Sequence, residues 1–243
     1  LDAVSMHVPK GAIYGFVGKN GAGKTTLIRL ICGLQSATSG EYTLYGRKST
    51  DKEIDKSRKR MGAVVETPSI YLDMTAEENL KEQYRILGLP SFDGLAELLK
   101  LVGLEKTGEK KAKNFSLGMR QRLGIAVALC GDPDFVVLDE PVNGLDPQGI
   151  IEIRELILKL NREHQITILI SSHILDELGK LATHYGFIDN GNIGKETSAK
   201  ELEAPCRKCV NVKVTSVKAL ARVLDKMGVD YKILDDRHAD IYA

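Results

Sequence analysis

The run Gly18-Lys19-Asn20-Gly21-Ala22-Gly23-Lys24-Thr25 limits what this chain can fold into more than any other stretch. It fits G-x-x-x-x-G-K-[ST] and follows a short apolar segment, residues 12–17, that reads as a buried strand. A helical pattern leaves it at once, over about residues 24–34. Glycine is needed where successive backbone N–H groups must turn inward around an anion, because a side chain would block both the dihedrals and the approach. The following helix start adds its partial positive charge. The expected ligand is a nucleoside triphosphate, held by Gly18, Asn20, Gly21, Ala22 and Gly23. Lys24 reaches the β and γ phosphates, Thr25 binds Mg²⁺ through its hydroxyl, and Thr26 adds phosphate contacts.

A strand–loop–helix start of this kind belongs to an α/β fold, and the rest of the chain agrees. Residues 61–65, 135–138, 166–170 and 185–188 are short and continuously apolar, which implies burial on both faces and hence a parallel sheet between helices. Helical patterns fall near 76–87, 95–102, 148–162 and 174–181, with the Gly88-Leu89-Pro90 breaker between the first two. Residues 41–45 alternate as a half-exposed strand, and the mixed charges of 49–60 read as a solvated helix or loop. Asn190-Gly191 is a hairpin signal. After about Pro205 the pattern restarts as strand, helix and strand at 210–215, 217–227 and 231–234. The expected division is a domain over 1–204, with a helical subdomain inserted at about 70–130, and a β-α-β appendage over 205–243 that is cut off near Ala243.

Two acids close the apolar segment at 135–138. In a parallel sheet, ligands bind beyond the C-terminal strand ends. Asp139 therefore emerges beside the phosphate loop and completes the Mg²⁺ shell, while Glu140 stands one residue further, placed to activate a water in line with the γ-phosphate. His173 ends another apolar strand in the same way and would meet the same phosphate if the two strands are neighbours.

Composition removes several classes. Lys and Arg together number 34 against 33 Asp and Glu, leaving a net charge of +1, so no bulk basic surplus argues for a nucleic-acid partner. No apolar run approaches the roughly 18–20 residues that span a bilayer. Of four cysteines, Cys32 and Cys130 sit in apolar helical stretches and read as small buried hydrophobes. Cys206 and Cys209 form one CxxC without a second metal-spaced pair. The chain opens at Leu1 inside a polar–apolar alternation, and the natural chain is expected to begin further upstream.

Ordered together, these segments resemble the ATP-binding subunit of ABC transporters. Asn114-Phe115-Ser116-Leu117-Gly118-Met119-Arg120-Gln121-Arg122 is similar to that family's signature, with Ser116 and Gly118 matching, and Asn143-Gly144-Leu145-Asp146-Pro147 is similar to its dimer-contact loop. The resemblance covers nearly all of residues 1 to about 200. It implies a phosphate-loop NTPase with a RecA-like, mostly parallel sheet flanked by helices, a helical subdomain and a small antiparallel β part. It also implies ATP and Mg²⁺ as cofactors, Glu140 and His173 as catalytic groups, and a head-to-tail homodimer in which Ser116 and Gly118 face the γ-phosphate held by the other copy. A membrane-spanning permease is the implied partner, with the ATPase on the cytoplasmic face of the membrane. Glu66 stands where the family generally places a metal-touching Gln, so a metal contact there carries an added negative charge. Glu66-Thr67-Pro68, Tyr71, Thr75 and Glu78-Asn79-Leu80 resemble the bacitracin-resistance, or lantibiotic-immunity, branch. The family stacks adenine on an aromatic residue upstream of the phosphate loop, and Tyr14, on the buried strand, is a poor substitute. Three alternatives remain at this point: an ABC transporter ATPase for another cargo, an ABC-type ATPase without a membrane partner, and a phosphate-loop kinase or GTPase.

Overall fold

A computed structural model describes residues 1–203 and 209–242. They form two compact units, Leu1–Ser198 and Ala199–Ala243. The first holds β1 (Ile13–Val17), α1 (Lys24–Ile31), β2 (Thr43–Leu44), β3 (Arg47–Lys48), α2 (Ile54–Arg58), β4 (Met61–Val64), α3 (Ala76–Leu87) and α4 (Leu95–Leu101). It continues with α5 (Leu117–Leu129), β5 (Phe135–Leu138), α6 (Pro147–His164), β6 (Thr167–Ser172), α7 (Leu175–Gly179), β7 (His184–Asp189) and β8 (Asn192–Ser198).

The sheet runs β4-β5-β6-β1-β7-β8, parallel through β7, with β8 returning antiparallel after the Asn190-Gly191 turn. Every residue of β1, β5 and β6 is buried, as their continuous apolar character requires. One core cluster gathers Tyr14 and Phe16 of β1, Ile28 of α1, Leu44, Val137 and Leu169. Ile153, Ile157 and Leu160 of α6 and Leu123 and Ile125 of α5 are also fully buried. Each such side chain contributes about 1.5–3 kcal/mol, against roughly 0–1 kcal/mol for an exposed ion pair such as Lys48–Glu41. The frame beneath the phosphate loop is therefore held by apolar packing, and the surface charges add little.

α3 begins with a complete capping box. Thr75 accepts from the Glu78 N–H and the Glu78 carboxylate accepts from the Thr75 N–H, which also holds that carboxyl below its usual range. The strand expected over 41–45 is shorter, because Tyr45 and Gly46 both take positive φ and fold the chain into the β2–β3 hairpin. Within the expected solvated stretch, α2 buries Ile54 and Ser57.

The second unit contains α8 (Ala199–Glu203), β9 (Cys209–Lys213), α9 (Val217–Met227), β10 (Tyr231–Ile233) and β11 (His238–Tyr242). Its sheet order is β10-β11-β9, all antiparallel, so a third strand completes what the sequence shows as β-α-β. The boundary expected at Pro205 and the Cys206 half of the CxxC lie outside the described residues.

Candidate functional site

β6 lies between β1 and β5, so three strand ends converge where the phosphate loop leaves β1. The loop is tethered on both sides: the Gly18 N–H donates to the Ser172 carbonyl at 3.3 Å, and the Gly191 N–H donates to the Ala22 carbonyl at 2.9 Å. A Cβ at Gly18 would stand 2.5 Å from the Ile188 carbonyl oxygen. Gly23, with φ of 111°, precedes α1 and offers it no side-chain cap. The N–H groups of Lys24, Thr25 and Thr26 occupy that first turn and have no acceptor within the helix. Gly18 thus leaves no room for a side chain, and the open N–H groups at the α1 start suit an anion.

Lys24 is 5% exposed. Its ammonium donates to the Gly18 carbonyl at 2.6 Å and the Lys19 carbonyl at 3.2 Å, and pairs with Glu140 Oε1 at 3.0 Å. Thr25 Oγ1 donates to Asp139 Oδ2 at 2.8 Å. Asp139, only 1% exposed, takes a second bond at Oδ1 from Ser171 Oγ at 2.6 Å. Glu140 has φ of 48°, its N–H donates to the same Ser171 oxygen at 2.8 Å, and its Oε2 meets His173 Nδ1 at 2.6 Å. Lys24, Thr25, Asp139, Glu140 and His173, drawn from three separate stretches of sequence, thus form one contiguous polar cluster beside the loop. Ser171 joins it as a member the sequence did not single out; the only signal was its place in Ser171-Ser172-His173.

The oxygen donors suit a hard divalent cation. Among the described residues no group of three or more His, Cys, Asp or Glu forms a metal cage. Magnesium characteristically takes one or two protein oxygens and completes its shell with phosphates and water, and Thr25 with Asp139 supplies that minimal set. Among the described residues no hydrogen bond joins Glu66 to Thr25 or Asp139. Glu66 takes φ of 59°, and its carboxylate is bound by Arg29, the basic residue in the last turn of α1. Arg29 and Glu66 line an open cleft of about 500 Å³ with Cys32, Arg58, Val65 and Ser69. Burial pushes the Cys32 thiol up to about 11, so it stays protonated there.

Ser116 caps α5, accepting from the Met119 N–H at 3.2 Å. Gly118 faces Leu145, just before α6, and Gly149 in its first turn, the helix being capped by Asp146 through the Gly149 N–H at 3.1 Å. Among the described residues no hydrogen bond or ion pair joins Ser116 or Gly118 to residues 18–26. Tyr14 is buried, with its hydroxyl bound to Glu196 on β8, and offers no face to a base.

A family profile described as ABC transporter matches residues 1–143. The bacitracin transport ATP-binding protein BcrA of Bacillus licheniformis is 41% identical over 247 residues, covering 100% of this chain and 80% of the relative. The lantibiotic transport ATP-binding protein SrtF of Streptococcus pyogenes is 44% identical over 193 residues, or 79% of this chain and 82% of its own. Among solved structures, cbiO1 from Clostridium perfringens, described as part of the ABC transporter complex cbiONQ, superposes with a TM-score of 0.72 at 25% identity, covering 91% of this chain and 86% of that one. The ATP-binding cassette MJ0796, solved as a dimer in a post-hydrolysis state with ADP and Pi, gives 0.71 at 26% identity over 81% of this chain and 89% of that one.

Proposed function

This chain belongs to the ABC transporter family of ATP-binding subunits, an ATPase that pairs with a copy of itself and drives a membrane permease, and we propose that its cargo is a peptide antibiotic or similar amphiphile, exported from the cell. The observation that carries the reading is the cluster Lys24–Glu140–His173 beside a glycine-floored loop. It holds a phosphate-binding cation, a base and a base-orienting imidazole in direct contact.

The chain's own groups act as follows. The loop amides and the α1 start take the triphosphate, and Lys24 exchanges the Gly18 and Lys19 carbonyls for phosphate oxygens. That exchange also releases Glu140 from Lys24, leaving Oε1 available to accept the proton of the attacking water. His173 holds Oε2 and fixes the direction in which the free oxygen points. Thr25 and Asp139 would hold Mg²⁺, which when bound neutralises charge on the β and γ phosphates. Glu66, held by Arg29 through Oε1, would bring an added negative charge to that shell if its carboxylate joined it. Ser116 and Gly118 serve the phosphate carried by the other copy, across a head-to-tail pair.

No helix among the described residues is long and apolar enough to cross a membrane; the permease is the membrane-spanning partner. Its docking surface would be the insertion around residues 66–87, a reading supported by the exposure of Tyr71, Leu72 and Ile86, the last at 62%. The working position is the cytoplasmic face of the membrane. The peptide cargo is supported by relatives at 41% and 44% identity whose names specify bacitracin and lantibiotic transport.

The test is co-expression with a multi-span permease in a host sensitive to bacitracin and lantibiotics. Raised tolerance that disappears in Glu140→Gln supports the reading. Tolerance unchanged by the wild-type pair, alongside ATP hydrolysis, removes the peptide cargo and keeps the ATPase.

A further inference from the structure

We propose that Ser171 is a positioning residue for hydrolysis, whose single hydroxyl sets the metal-facing oxygen of Asp139 and the backbone of Glu140 together. The inference rests on reading the site as a magnesium-dependent ATPase and adds to it a residue that touches neither substrate nor metal.

Ser171 is fully buried near the end of β6, where the register Leu138↔Ile170 sets it opposite Asp139. Its oxygen makes two bonds whose directions are forced. The Glu140 N–H can only donate, at 2.8 Å, so the serine proton goes to Asp139 Oδ1 at 2.6 Å. With Oδ1 occupied, Oδ2 is the oxygen left for Thr25, at 2.8 Å, and for the cation beside it. The second bond acts on the backbone. Glu140 has φ of 48°, a left-handed conformation that a residue with a Cβ adopts only when its surroundings impose it. That conformation sends the Glu140 side chain toward Lys24 and His173, and the N–H bond to Ser171 is one of the contacts that hold it.

Only a hydroxyl can accept from one group and donate to the other at these distances. Removing it leaves a buried carboxylate oxygen without its donor and a backbone N–H without its acceptor, and each acid loses one of the contacts that hold it. Second-layer partners of metal ligands typically cost about 10- to 100-fold in metal affinity or activity when lost.

The experiment compares Ser171→Thr with Ser171→Val, which have the same shape and differ only in the hydroxyl, and adds Ser171→Ala in case the branched side chains do not fit. Three quantities are read: turnover, Mn²⁺ affinity of the complex with a non-hydrolysable ATP analogue by electron paramagnetic resonance, and ATP affinity in EDTA. Val and Ala are expected to lose about 10-fold in Mn²⁺ affinity and about 10- to 100-fold in kcat. Their metal-free ATP affinity stays within about twofold, since the loop amides and Lys24 are untouched. Thr is expected to remain near wild type in all three.

Wild-type kcat and Mn²⁺ affinity in Val or Ala overturn the proposal. So does a Thr variant as impaired as Val, or a parallel loss of metal-free ATP binding, either of which would mark a packing defect. A wild-type chain that neither binds nor hydrolyses ATP overturns the function as well, whereas a hydrolysing wild type beside an unaffected Val variant overturns the Ser171 role alone.

Discussion

Two helix starts in this molecule, those of α1 and α5, are built differently. α1 opens on Gly23, has no side-chain cap, and keeps its first N–H groups open beside the buried Lys24. Around it stand Thr25, Asp139, Glu140 and His173 in mutual contact. α5 opens on Ser116, which spends its hydroxyl on the Met119 N–H, and the adjoining Leu117 is 49% exposed. The first start carries its own counter-charge and chemistry. Among the described residues no hydrogen bond or ion pair joins the second to that cluster, and in the proposed reading it would meet an anion only when another copy presents one. A chain with one complete half and one exposed, incomplete half is suited to pairing with its own copy, each supplying what the other lacks.

That contrast can be broken by experiment. The largest effect expected is for Ser116→Arg. Turnover should vanish because a bulky cation blocks the meeting of the two starts, while ATP affinity of the monomer, read by calorimetry, stays at wild type. Hydrolysis at an undiminished rate would mean that α5 has no part in the site. Next, Glu140→Gln should lower kcat by about 10³-fold, as loss of a general base does, and should accumulate an ATP-bound dimer visible by light scattering. Lys24→Ala should weaken ATP binding by about 100-fold, through lost charge-assisted contacts with phosphate. An equal loss of affinity in Ser116→Arg would erase the distinction between the two starts. The smallest effect is for Ser116→Ala, whose lost cap should cost about 1 kcal/mol, seen as a Tm lowered by a few degrees.

The elements most legible in the sequence were those with a local signature. α3 and α9 occupy Ala76–Leu87 and Val217–Met227, the bounds that the helical patterns at 76–87 and 217–227 gave. β5 ends at Leu138, where apolar residues give way to two acids. β11 escaped notice because His238-Ala239-Asp240-Ile241-Tyr242 follows a charged turn and owes its extension to pairing with β9 on one side and β10 on the other. For residues 49–60 the sequence left helix and loop open, because five helical residues are too few to show a period, and only packing buries Ile54 of α2. Glu66 was legible as a departure from a familiar pattern, but its partner Arg29 lies on α1, far along the chain, and no spacing rule connects them.

Taken alone, the sequence specified the phosphate cradle, since glycines, a lysine and a threonine at fixed spacing act through backbone geometry that neighbouring residues determine. It also specified a parallel sheet, through strands apolar on both faces. The order β5-β6-β1 was decided in three dimensions, and with it the meeting of Asp139, Glu140, His173 and the loop. Strand order depends on which apolar faces pack best across the whole core, a sum over distant contacts. Ser171 became part of the site only because that order set β6 beside β5 with Ile170 opposite Leu138.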